Sequence, residues 1–254
     1  MIPKIHPQPP AKVPPWTPLE LHLHKEAVAR LEKILADAVG LVGHKKLTEE
    51  QLYKIMVERM QKVGLTSLLN WAIVAYGTSA ADPHYHFKPK HSRLIKPGAL
   101  LMLDIWGKLN RPDAPYADIT HTYFVGKNPS THFQKLWHDL KTARDRALRE
   151  ISQKRTVPGA HLHLLAEKHL DGCGYKGLFI HGLGHDLGHD HVHGPGANLS
   201  PRYPHKLIAG RGYTIEPGIY KPGKFGLRSE IDFFLASRGR VNVTTRLQNE
   251  LECI

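Results

Sequence analysis

Apolar positions in the first quarter of the chain recur at helical spacing behind two marked starts. Thr17, Pro18 and Glu20 form a capping box with proline at the first helical position. Leu21, Ala27, Leu31, Ile34 and Leu35 follow, which predicts a helix from 17 to about 39. Thr48 and Gln51 repeat the box ahead of Leu52, Ile55, Met56 and Met60, so a second helix should end before Gly64. The pattern then changes to continuous apolar, β-branched runs at 71–76 and 99–106, read as strands on either side of a polar, proline-bearing loop. A further strand is expected at 116–125. Phe133, Leu136, Trp137, Leu140, Ala143, Ala147, Leu148 and Ile151 mark a long amphipathic helix, with a shorter one over 160–170. Strands at 177–181, 212–216 and 226–236 and a polar tail complete the reading. Helices precede strands twice over, which points to an α+β fold of two related halves.

Composition changes this picture at the N-terminus. Pro3, Pro7, Pro9, Pro10, Pro14 and Pro15 favour extended chain, so residues 1–16 are read as a proline-rich arm and 17–254 as one domain. With 254 residues and 41% apolar content the chain has enough material for one large core. No apolar stretch reaches the roughly 18 to 20 residues that span a bilayer, and the start lacks a secretory apolar region; a cytoplasmic protein without membrane partners is expected. Two cysteines, Cys173 and Cys253, give no disulfide framework. The formal charge of +12 could favour nucleic acid, but no basic run is interleaved with aromatics, so a solvated basic surface is the better reading.

Histidine is more telling: the chain has 19, and His181, His185, His189, His191 and His193 crowd one short segment rich in glycine. Asp104 stands in the middle of the apolar run GALLMLDIWG, where an ionised carboxylate is costly unless a cation or hydrogen-bond donors meet it. Asp118 lies on the returning strand, so a hairpin brings the two together. Glu216 ends another apolar run before Pro217-Gly218. Glu230 lies in FGLRSEIDFFL, where alternation places Arg228, Glu230 and Asp232 on one face; taken alone, Glu230 reads as a solvated-face residue. Four carboxylates gathered with the imidazole of His185 carry about four negative charges, which two divalent cations would neutralise.

The order Asp104, Asp118, His185, Glu216, Glu230, with the motifs PHY, ADIT, HGLGH, IEPG and RSE, resembles the pita-bread metallopeptidases: methionine aminopeptidase, Xaa-Pro aminopeptidase and prolidase. The likeness covers roughly 20–245 and lies nearest the Xaa-Pro group. It implies a pita-bread (creatinase/aminopeptidase) fold, with two pseudo-related halves of helices packed on a curved antiparallel sheet. It also implies hydrolysis of the N-terminal peptide bond of peptides by a metal-bridging hydroxide. By that resemblance Asp104 chelates one ion, His185 and Glu216 the other, and Asp118 and Glu230 bridge both. The ions are manganese first, with iron, cobalt or zinc as alternatives. Glu216 handles the proton, His84 and His193 hydrogen-bond the substrate, His181 lines the substrate pocket and Arg228 holds a carboxylate. His191 competes with His193 for its role.

Some features depart from the family pattern. The span from Asp104 to Asp118 is longer than usual, Trp106 delays the expected glycine to Gly107, and His121 replaces an arginine. The length leaves no room for the N-terminal domain that many Xaa-Pro enzymes carry. A homodimer belongs among the expected partners. Alternatives are the same site on a small non-peptide substrate, as in a creatinase-like hydrolase or a lyase, methionine aminopeptidase activity, and a non-catalytic binding module.

Overall fold

The computed structural model describes residues 13–68, 70–88, 91–154 and 157–254, apart from the side chain of Arg238. Both predicted capping boxes are present. In helix α1 (Pro18–His44) Thr17 Oγ1 accepts from Glu20 N while the Glu20 carboxylate accepts from Thr17 N, and Thr48 and Gln51 do the same for α2 (Glu49–Lys62). The first helix runs five residues past the expected end, because Leu41 and Val42 still pack on the core while Gly40 meets no neighbour.

Strand β1 (Leu65–Thr66), β2 (Ala72–Tyr76) and the long β3 (Leu100–Leu109) and β4 (Ala117–Phe124) make the first sheet, with β1, β2 and β4 all antiparallel to β3. Helices α1 and α2 cover it through Leu31, Leu35, Met56 and Met60, all buried against Leu103 and Ile105. The second half opens with α3 (Thr131–Lys154) and α4 (Gly159–Gly172). They pack on β5 (Arg211–Ile215), β6 (Gly218–Lys221), β7 (Phe225–Arg228) and β8 (Ile231–Leu235). The halves meet where Glu230 N donates to Thr120 O at 3.0 Å.

Several expectations are corrected. Residues 177–181 form no strand: Gly177 takes φ +73°, Leu178 N donates back to Tyr175 O in a turn, and Leu178 O accepts a bond from Tyr220 N without a ladder following. The single strand expected at 226–236 is two, because β7 pairs with β6 and β8 with β5, and the chain bends at Ser229–Glu230 between them. The polar tail is partly ordered into β9 (Val241–Val243) and β10 (Glu252–Cys253); β10 lies parallel to β4, so the first sheet is not wholly antiparallel. Of the arm, residues 1–12 lie outside the described residues, while Trp16 is buried, its ring stacked on Phe234 and its backbone N–H donating to Gly210 O.

Candidate metal centre

The hairpin β3–β4 sets the first two carboxylates. Asp104 lies opposite Thr120 and Asp118 opposite Trp106, a two-residue offset that leaves both carboxylates on one face. Asp118 N donates to the buried Asp232 Oδ2 at 2.9 Å, which anchors the strand from behind. His185 sits in a loop that runs alongside β5. Thr214 N donates to His185 O, and His185 N donates to Thr214 Oγ1 at 3.1 Å. Gly184 permits this approach, since a Cβ there would overlap the backbone carbonyl of Thr214. Glu216 follows directly on β5, and Glu230 falls at the bend between β7 and β8.

These groups converge on a cavity of about 510 Å³. It is lined by all five candidate ligands, Asp104, Asp118, His185, Glu216 and Glu230, and by His84, His181, His191, His193 and Arg228. Glu230 is only 2% exposed, so its reading as a solvated-face residue is overturned. Ligand atoms of Asp118, His185 and Glu230 lie within 4.8 Å of one another.

The electrostatics call for a cation. His185 Nδ1 lies 3.0 Å from Asp186 O and can only donate to it, which leaves the Nε2 lone pair facing Asp118 Oδ2 at 3.5 Å and Glu216 Oε1 at 3.7 Å. Lone pairs so placed require a proton or a metal between them. Asp104 Oδ1, Asp118 Oδ1 and Glu230 Oε1 are all buried without a hydrogen-bond donor, and these three orphaned carboxylate oxygens line one cavity. Burial first, and then mutual repulsion, pushes Asp118 and Glu230 well above the usual carboxylate range; burial raises Asp104 and Glu216 as well. The donor set, four carboxylates and one imidazole with oxygens left unpartnered, fits divalent ions.

Arg228 is the compensating charge within the protein. Its Nη2 donates to Asp104 Oδ2, its Nε donates to Thr120 Oγ1 at 3.0 Å, and Thr120 Oγ1 in turn donates to Glu230 Oε2 at 2.7 Å. Tyr220 OH accepts from Arg228 Nη1 at 3.4 Å and donates to His181 Nε2 at 2.9 Å, while His181 Nδ1 donates to Gly182 O. Burial holds the His181 pKa down to about 3. Both nitrogens of His181 are thus engaged within the protein. The His193 ring stacks on His185 with centroids 4.0 Å apart, and the His193 backbone N–H donates to His191 Nδ1.

Sequence reasoning missed three supporting residues. Asp232 carried a usable signal, a carboxylate inside the apolar run IDFFL, the same signal that marked Asp104. Tyr220 had none, being one aromatic in an apolar strand. Glu49 was hidden as an ordinary helix-start acid, yet it is fully buried and accepts bonds from Tyr76 N, Tyr85 OH and Arg93 N at 2.8 to 2.9 Å. It thereby ties down both ends of the segment that carries His84. The departures noted in the sequence also resolve: Trp106 lines the cavity, and buried His121 accepts from Arg246 Nη2 through Nδ1.

Fold and site together define an α+β protein with a buried cluster of carboxylates and imidazole, drawn from both halves of the chain, whose donor set fits divalent ions. The sequence pattern of metallopeptidase family M24 matches residues 22–236, and the chain belongs to that family. The X-Pro aminopeptidase of Thermotoga maritima superposes with a TM-score of 0.82 at 27% identity, over 94% of this chain and 64% of that one. The Xaa-Pro dipeptidase of Bacillus anthracis gives the same four figures. The architecture is therefore the pita-bread fold expected from the motifs. An uncharacterised peptidase of Schizosaccharomyces pombe is 30% identical over 195 residues, 75% of this chain and 41% of the relative. The chain spans about half the length of the curated relatives it matches. Among the described residues no helix is long and apolar enough to cross a membrane.

Proposed function

We propose that the chain acts as a dinuclear metal-dependent peptidase of the Xaa-Pro type, hydrolysing the N-terminal peptide bond of its substrates. The observation that carries this reading is the trio of buried, unpartnered oxygens on Asp104, Asp118 and Glu230 beside His185 Nε2. Asp104, Asp118, His185, Glu216 and Glu230 would hold two divalent ions, manganese first among them, with Asp118 and Glu230 shared. When bound, the ions supply Lewis acidity and a water activated near neutral pH.

The protein's own groups supply the rest. Glu216, held by Thr214 Oγ1 at 3.4 Å and raised by burial, is suited to accept a proton and return it to the leaving amine. His84 and His193 line the cavity and would orient the scissile peptide and hydrogen-bond the charge that develops on its oxygen. Arg228 fixes Asp104 rather than standing free for substrate, and His181 serves as a shaped wall.

Metal analysis together with a panel of Xaa-Pro dipeptides and tripeptides under added Mn²⁺ tests the proposal. Turnover is expected in the wild type. Asp118→Ala should lose about one equivalent of metal and more than about a hundredfold in turnover, the upper range for changes around a metal's ligands. Full activity and full metal content in that variant would remove the assignment. Release of Met from Met-Ala peptides alone would favour the methionine aminopeptidase alternative, and inactivity on every peptide would favour a non-peptide substrate.

A further inference from the structure

A second cavity of about 170 Å³ opens beside the first, and its walls are aromatic. Tyr53 from α2, Tyr85 and Phe87 from the following loop, and Ala72 and Val74 from β2 surround it. Alternation along β2 explains how the two spaces adjoin: Ile73 faces the metal cavity, whereas Ala72 and Val74 face the opposite way. Asn70 and His86 line both cavities, and their side chains are hydrogen-bonded to one another at 3.3 Å. The pair therefore stands as a polar partition between the two spaces.

The walls are set before any ligand arrives. Tyr53 and Phe87 meet edge to face with centroids 5.3 Å apart, and Tyr85 OH donates to the buried Glu49 Oε2 at 2.9 Å. A cavity of about 150 Å³ lined by apolar groups takes up benzene. The side cavity is thus of phenyl size, with ring edges and faces arranged for another aromatic group.

We propose that this side cavity is a specificity pocket for an aromatic side chain of the peptide substrate, entered past the Asn70–His86 pair from the metal cavity. The inference rests on the peptidase reading above and adds to it the kind of residue preferred near the cleaved bond. Full burial of a phenyl group in place of a methyl group gives about a tenfold or greater preference.

The manganese-loaded full chain should be assayed on paired Xaa-Pro-Yaa peptides that keep the proline and carry Phe or Ala at the position before it or the position after it. At one position the wild type should favour Phe by about tenfold or more in kcat/KM. Phe87→Ala, which removes a wall in a half-buried loop, and Ala72→Leu, which fills the space, should both bring that ratio close to one. A ratio near one at every position in the wild type would overturn the proposal, as would a preference that Phe87→Ala leaves untouched. If Ala72→Leu does not fold, Phe87→Ala decides. Inactivity on every peptide would count against the peptidase reading itself. The pocket is then judged by toluene titrated into the full chain and followed by NMR. Shifts in the Tyr53, Tyr85 and Phe87 ring signals would support an aromatic-binding pocket; unmoved signals would end the proposal.

Discussion

The two halves of the molecule deliver their candidate ligands on opposite plans. Asp104 and Asp118 come from the interior of an uninterrupted hairpin, where ladder bonds on either side hold each residue in register. His185 comes from a loop, Glu216 from the position just beyond β5, and Glu230 from the bend between β7 and β8. Strand pairing on both edges of β3 holds Asp104, and Asp118 adds to its place in the hairpin one specific bond, from its backbone N to Asp232 Oδ2. A candidate ligand at a break relies on a few specific contacts, here Thr214 with His185 and Thr120 with Glu230. The second half is therefore the place where a small change should do the most harm.

Paired glycine substitutions break the comparison most directly. At Gly184 an added Cβ would run into the Thr214 carbonyl, which has no room to retreat inside β5, so Gly184→Ala should push the His185 loop off its strand. A destabilisation at the upper end of the ~1–3 kcal/mol range for overpacking is expected, with loss of bound metal. At Gly107, on β3, the nearest atom to an added Cβ is the flexible end of Met60, at 3.1 Å. Gly107→Ala should cost about 1 kcal/mol or less and keep its metal. Thermal unfolding and metal content of the two variants, measured side by side, check the contrast; equal losses would show that the halves do not differ in this way.

The same division governs how much could be read from the sequence. In the first half the capping boxes at Thr17 and Thr48 and the apolar runs of β2, β3 and β4 appear where expected, because each element is stabilised by its own local pattern. All five candidate ligands line one cavity; Asp104 and Glu216 stand out as carboxylates in apolar runs, whereas Glu230, which taken alone reads as a solvated-face residue, is picked out by the order of the motifs. What was illegible lies where distant contacts override local pattern. Residues 177–181 look like a strand but have no ladder to join, and Arg228, Glu230 and Asp232 are all buried because the bend at Ser229 redirects the chain between two partners. Glu49 satisfies donors up to 44 residues away, which no periodicity reveals.

Titration offers a gentler way to sharpen the contrast, since it acts on ligands of both halves at once. Asp118 and Glu230 are raised well above the carboxylate range by burial and then by neighbouring carboxylates, and Asp104 and Glu216 are raised chiefly by burial. An acid whose pKa is higher folded than unfolded binds its proton more tightly in the native state, so its effect on stability becomes less favourable as pH rises from the ordinary carboxylate values near 4 through the raised ones. Buried histidines act in the opposite sense with or without metal, since a group such as His181, held down to about 3, takes up its proton only on unfolding. The carboxylates are therefore read from a difference: the melting temperature gained on saturation with Mn²⁺ should shrink as the pH is lowered from about 8 toward 5, because protons compete with the metal for them. Parallel melting curves with and without metal would contradict this if their pH dependence were identical.

A local effect is expected at the segment between β2 and β3 that carries His84, a 3-10 turn (Gly77–Ala81) followed by loop in its described residues. It resembles the second half in being a loop at the cavity, but it is pinned from beneath by a single buried carboxylate. Glu49 Oε1 accepts from Tyr76 N, and Oε2 accepts from both Tyr85 OH and Arg93 N. Glu49→Gln keeps the shape but turns one acceptor into an N–H₂ donor, so at least one of these buried donors loses its partner, at about 1–2 kcal/mol. Because Glu49 reaches the reaction only through the loop, KM should rise by more than kcat falls, and Glu49→Asp, which restores both acceptor oxygens on a shorter stem, should recover part of the loss. A fall in kcat with KM unchanged would instead mean that the first half needs no pin. His84 would then be placed by the PHY turn itself, where its N–H donates to Asp82 Oδ1 at 2.9 Å.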